Sequence, residues 1–154
     1  MSHHYLDASA LVKRYVDEAG SHWLRAIVAS PEPPLLFTSR MTIVEVISAF
    51  AHRVREGSLT PDEFAALHDA FRSDCLNEYR IMPPTVQVVD LACSLLERHS
   101  LRAYDAVHLA TALGAQGFLA ERGYPPLTFV SADEGLNQAA SAEGLAVDNP
   151  SEHL

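Results

Sequence analysis

Lysine is almost missing from this chain of 154 residues: Lys13 is the only one, and ten arginines carry the rest of its positive charge. Against 20 acidic residues, that leaves a net charge of -9. A sequence so short of cations lacks the basic footprint that phosphate binding normally leaves, which taken alone argues against nucleic acid as a partner. Three accounts of the acidity remain: a solvated surface, a carboxylate cluster that holds cations, or pairing with a basic protein. Cysteine is scarce too. Cys75 and Cys93 lie in helix-like stretches without the spacing of a metal knuckle, and they read as reduced thiols in a cytoplasmic protein. Long apolar runs are missing. Met1 to Asp7 holds none of signal-peptide length, and no stretch approaches the roughly 20 apolar residues of a membrane helix. His3 and His4 are adjacent, so on a strand they point to opposite faces and do not make a metal pair.

What is present is a globular composition, 48% apolar with ordinary Pro and Gly, over a length that reads as one domain spanning residues 1–154. Short apolar runs alternate with longer helical ones, which predicts an α/β fold around a mostly parallel sheet. Strands are expected at His4–Leu6, Leu35–Thr38, Tyr79–Met82, Thr128–Val130 and Leu145–Val147. Helices are expected at about Ser9–Val16, Ser21–Ala29, Thr42–Arg55, Thr60–Asn77, Thr85–His99, Ala103–Ala120 and Asp133–Glu143. Ser39 reads as the cap of the third helix. Thr60-Pro61-Asp62-Glu63 is a capping box with proline at the first helical position. This helical content exceeds a single sheet-and-helix unit, so two consecutive helices are expected to form a hairpin or clip beside the sheet.

Four carboxylates occupy suggestive places. Asp7 closes the first strand and Asp133 follows the fourth, where ligands collect beyond the carboxyl ends of a parallel sheet. Glu45 and Asp105 lie near helix starts that would face the same end. Acids at helix starts also serve as caps and complement the dipole, and each of the four taken singly is explained that way. Their company argues otherwise. Asp105 sits in Tyr104-Asp105-Ala106-Val107-His108-Leu109-Ala110, and Glu45 sits between Ile43, Val44, Val46 and Ile47. A carboxylate in apolar surroundings needs a partner. With one lysine available, a divalent cation is the natural one, and an all-oxygen cluster suits magnesium or manganese better than zinc.

The same residues carry a family resemblance. Tyr5-Leu6-Asp7-Ala8-Ser9-Ala10-Leu11-Val12-Lys13 resembles the opening motif of PIN-domain ribonucleases, especially the VapC toxins of toxin–antitoxin pairs. Val44-Glu45-Val46 is similar to the family's second acidic site, Tyr104 to Ala110 to its third, and Ser131-Ala132-Asp133 to its last. The resemblance covers nearly the whole chain. It implies an α/β/α sandwich, a magnesium or manganese site, RNA as substrate, a cognate antitoxin and a homodimer.

On this reading Asp7, Asp105 and Asp133 hold the metal, and Glu45 is a ligand or positions the attacking water. Ser9 and Ser131 orient Asp7, water or a phosphate from behind, with an N-cap role as the alternative for Ser9. Lys13, Arg14 and Arg40 flank the pocket toward phosphates, or simply lie solvated on a helix. His108 reads as a satisfied core histidine, with a place facing the site as the alternative, and Tyr15 and Trp23 as core rather than base-stacking residues. The acidic surface suits a basic antitoxin tail that places an arginine among the carboxylates. The alternatives are a free-standing metal-dependent nuclease or phosphohydrolase, a DNA nuclease, and a non-catalytic PIN-like binding module. A phospho-accepting receiver domain is disfavoured, because it wants a lysine after a late strand.

Overall fold

The computed structural model describes residues 2–154. Among these, the chain forms strands β1 (His3–Leu6), β2 (Leu35–Ser39), β3 (Tyr79–Met82), β4 (Thr128–Val130) and β5 (Ala146–Asp148). The helices are α1 (Ala8–Leu11), α2 (Ser21–Val28), α3 (Arg40–Arg55), α4 (Pro61–Asn77), α5 (Val86–Arg98), α6 (Ala103–Glu121) and α7 (Glu134–Ala142). Strand order is β3-β2-β1-β4-β5, with every pairing parallel. β1 is therefore central, against β2 on one side and β4 on the other.

Successive side chains of a strand point to opposite faces, and both faces here are apolar. Tyr5, Phe37 and Phe129 pack on one side with α5, α6 and α7. Leu6, Leu36 and Val130 pack on the other with α1 to α4. The result is the expected α/β/α sandwich. The expected helical hairpin is α3 with α4: Phe50 and Phe71 meet edge to face at 6.2 Å, and both rings also meet Tyr15.

Several boundaries differ from expectation. The first helix ends at Leu11 instead of Val16. The chain tightens into a 3-10 turn over Val12–Arg14, with the Tyr15 N–H on the Val12 carbonyl at 3.0 Å, as it bends to bury Val12 and Val16. α3 begins earlier, at Arg40, because the Ser39 hydroxyl accepts from the Met41 N–H at 3.1 Å. The last strand starts at Ala146, since Leu145 belongs to the core.

Parallel pairing brings all the strand carboxyl ends to one edge. That edge is laced together by the Asp7 N–H on the Val130 carbonyl (3.2 Å) and the Thr38 hydroxyl on the Leu6 carbonyl (2.7 Å). Thr38 also bonds the Thr42 hydroxyl at 2.7 Å, which fixes the first turn of α3 against the sheet. Among the described residues, no helix is long and apolar enough to cross a membrane.

Candidate active site

Asp7 is the residue where strand, helix and pocket meet. It leaves β1 in an extended conformation and serves as the N-cap of α1, its Oδ1 accepting from the Ala10 N–H at 3.0 Å. The same Oδ1 accepts from the Ser9 hydroxyl at 2.7 Å, and Oδ2 accepts from the Ser131 hydroxyl at 2.6 Å. The cap of α1 is thus Asp7, and Ser9 is free to bridge: its Oγ also accepts from the Ala132 N–H at 2.9 Å. Asp7 is only 5% exposed, and its direct hydrogen-bond partners are all neutral. Burial pushes its carboxyl above the usual range, against the pull of His108 and of these hydrogen bonds.

Asp133 follows β4 and caps α7, accepting from the Leu136 N–H at 3.0 Å. Its own N–H donates to Ser131 Oγ at 3.1 Å, so one serine links Asp7 to the Asp133 backbone. Asn137 locks this corner by donating to the Ser131 carbonyl at 2.8 Å. Asp105 stands in the first turn of α6, half-buried, with the Arg102 guanidinium 3.5 Å away. Arg102 also lies 3.9 Å from Asp133. One side chain therefore ties these two acids to a common centre.

Glu45 enters from the second turn of α3. Its Oε1 bonds His108 Nε2 at 2.6 Å, and His108 Nδ1 bonds the Tyr5 hydroxyl at 2.8 Å. His108 is buried and satisfied at both nitrogens, as expected of a core histidine, but one of its partners is Glu45. Burial by itself would lower the imidazole pKa. The bond to Glu45 and the charges of Asp7, Glu45 and Asp105 outweigh that and raise it. The ring thus links Glu45 to the Tyr5 hydroxyl and fixes the position of the Glu45 side chain. Tyr5, stacked on Phe129 at 5.5 Å, has its hydroxyl pushed well up by burial and stays protonated.

The structure thus gathers Asp7, Glu45, Asp105, Asp133, Ser9 and Ser131. It gives Lys13 and Arg14 other work. Lys13 is buried and bonds Glu18 at 3.1 Å, while Arg14 bonds Glu78 (2.6 Å) and Tyr79 (2.7 Å). Their charge is committed to these partners rather than displayed toward phosphates. Arg40 is exposed at the start of α3. Tyr15 packs in the aromatic core, and Trp23 stacks on His153 at 4.1 Å. Tyr5 and Asn137 were not singled out by sequence. The available signal was weak: Tyr5 lies two before Asp7, and Asn137 lies one turn after Asp133.

The donor set is all oxygen, and Asp7 sits in an environment that penalises its charge, so the residues fit a hard divalent cation. Among the described residues, no three His, Cys, Asp or Glu side chains stand together closely enough to hold a metal ion as they are placed. Arg102 lies within ion-pair distance of both Asp105 and Asp133.

A parallel α/β/α sandwich with these acids at the carboxyl edge of its sheet defines an open α/β protein with an acidic candidate site. The PIN domain matches residues 4–141, and the chain belongs to the PIN-domain family. Ribonuclease VapC45 of Mycobacterium tuberculosis (strain CDC 1551 / Oshkosh) is 36% identical over 145 residues, which cover 93% of this chain and 92% of that protein. Among solved structures, FitAcB from Neisseria gonorrhoeae aligns with a TM-score of 0.63 at 20% identity, covering 97% of this chain and 99% of that one. VapC20 of Mycobacterium tuberculosis, a Sarcin-Ricin loop cleaving toxin, aligns with a TM-score of 0.60 at 19% identity, covering 92% and 95%.

Proposed function

We propose that this chain is a divalent-metal-dependent endoribonuclease, the toxin of a toxin–antitoxin pair, with residues 1–154 forming one nuclease domain. The observation that carries this reading is Asp7: a buried carboxylate at the end of the central strand, hydrogen-bonded only by neutral donors, in the company of three more acids. The kinship to a VapC ribonuclease supports RNA as the substrate.

Asp7, Asp105 and Asp133 would hold the ion, magnesium or manganese by donor type. When bound, it supplies a Lewis acid for the phosphoryl oxygens and a lowered pKa for a water. The chain's own residues do the rest. Ser9 and Ser131 fix both oxygens of Asp7. Their hydroxyl protons are committed to that carboxylate, so neither serine is a free nucleophile, and water is the attacking group. His108 and Tyr5 hold Glu45 in position to orient that water and take its proton. Attack on phosphorus forms one P–O bond and breaks another, and the leaving oxygen takes up a proton.

An antitoxin with a basic segment fits the net charge of -9 and the acid pocket; FitAcB is a structural neighbour of the same fold. A homodimer belongs to the same reading. Val44 (61% exposed) and Tyr104 (52% exposed) rim a cleft of about 520 Å³ that reaches Glu45, an apolar strip suited to a second copy. The reading also places the protein in the cytoplasm, with Cys75 and Cys93 free.

The test is cleavage of a defined RNA by purified protein. Activity should require magnesium or manganese and vanish in excess chelator. Undiminished cleavage after chelation and dialysis would falsify the metal reading.

A further inference from the structure

Arg102 is a residue that its local structure does not ask for. It occupies the N-cap position of α6 in extended conformation, and its side chain makes no capping bond. That position favours Ser, Thr, Asp or Asn, and a helix N-terminus repels positive charge. In a chain with few cations, an arginine stands there nonetheless. Its Nε lies 3.5 Å from Asp105 Oδ2 and its Nη2 lies 3.9 Å from Asp133 Oδ2. Among the described residues, no other lysine or arginine is within ion-pair distance of the four pocket acids. The side chain is 85% exposed, so the hold is loose and readily broken.

We propose that Arg102 is the pocket's own counter-cation: it bridges Asp105 and Asp133 in the metal-free protein, yields them to a divalent ion, and then meets the phosphodiester of the RNA. This rests on the reading of these acids as a metal site. A guanidinium and a dication cannot both occupy the gap between the same two carboxylates, because their charges repel. Displaced, the exposed guanidinium stays tethered at the pocket mouth by the start of α6. Its planar fork matches two phosphate oxygens, and it supplies the positive charge that Lys13 and Arg14 do not. One side chain would therefore lower metal affinity and raise substrate affinity.

The opposite signs make the test. Mn²⁺ binding to metal-free wild-type, Arg102→Ala and Arg102→Lys protein is titrated by electron paramagnetic resonance of the free ion. KM for a short single-stranded RNA is then measured at saturating Mn²⁺. Arg102→Ala should bind Mn²⁺ about two- to tenfold more tightly, in keeping with two exposed ion pairs, and its KM should rise severalfold. Arg102→Lys should lie between on both scales. Its melting temperature should stay near wild type, because the side chain is almost fully solvated. Unchanged or weaker Mn²⁺ binding in Arg102→Ala, or an unchanged KM, overturns the proposal while leaving the metal site intact. Absence of Mn²⁺ binding by the wild type takes down the metal reading and this proposal together.

Discussion

At the scale of single residues, Asp7 performs two tasks that pull against each other. It caps α1, which stabilises the fold, and it buries a charge, which does not. Its folded pKa is raised, so the cost of that charge is present at neutral pH and fades as the pH falls through the folded value toward the unfolded one. Asp7→Asn keeps an oxygen for the cap and removes the charge. Calorimetry of the metal-free variant should show a higher melting temperature than wild type at neutral pH and no gain in acid. Cleavage should fall about 100-fold or more, as for loss of an essential polar group at a reacting centre. An equal melting temperature at neutral pH would mean that Asp7 is not strained by its burial. Tyr5→Phe tests the other anchor: it strips one partner from His108 and should cost about 1 kcal/mol of stability in urea, with a lower cleavage rate. The acids were legible in the sequence because a carboxylate among apolar residues is conspicuous. The grip of Tyr5 on His108 was not, since 103 residues separate them and only the fold brings them together. Lys13 and Arg14 mislead for the converse reason. They follow the first acid closely in sequence, yet their side chains turn to Glu18 and Glu78.

At the scale of elements, local chemistry was readable wherever a cap decides the outcome. Thr60 and Glu63 exchange both bonds of the capping box at 3.1 and 3.0 Å, and α4 starts where that motif places it. The early end of α1 was not readable, because packing of Val12 and Val16 overrides helical propensity there. Two joints between elements invite mutation. Glu143, at the end of α7, receives Arg98 at 2.9 Å and His99 at 2.6 Å from the end of α5. The Arg98 and His99 hydrogen bonds hold its carboxyl below the usual range. A depressed folded pKa stabilises above the unfolded value, and that contribution is lost as the pH falls through the folded one. Glu143→Gln should therefore lower the urea midpoint at neutral pH and match wild type in acid. Gly20 begins α2 at φ +91°, and a Cβ there would lie 2.2 Å from the Pro150 carbonyl oxygen. Gly20→Ala is both strained and obstructed, and thermal unfolding should show a loss exceeding about 1 kcal/mol.

At the scale of the whole molecule, the net charge and the pocket act together. The field of an acidic body is focused where its carboxylates converge, so on the proposed function a basic partner would be drawn there and an RNA strand would need a cation in place. Affinity for a basic antitoxin segment should fall steadily with added salt in isothermal titration, and a salt-independent affinity would point to apolar docking instead. The sheet order has a further consequence, which concerns time. β1 is made first yet lies in the middle of the sheet, and the Ser131 that grips Asp7 comes 124 residues later. During synthesis Asp7 emerges early and waits, since pairing with β4 closes one of the longest loops in the molecule. A fragment ending before Thr128 should cleave no RNA and show no cooperative unfolding. Until β4 emerges, Asp7 lacks the Ser131 hydroxyl that holds its Oδ2, so the nascent chain carries the acids of the proposed site without their final arrangement.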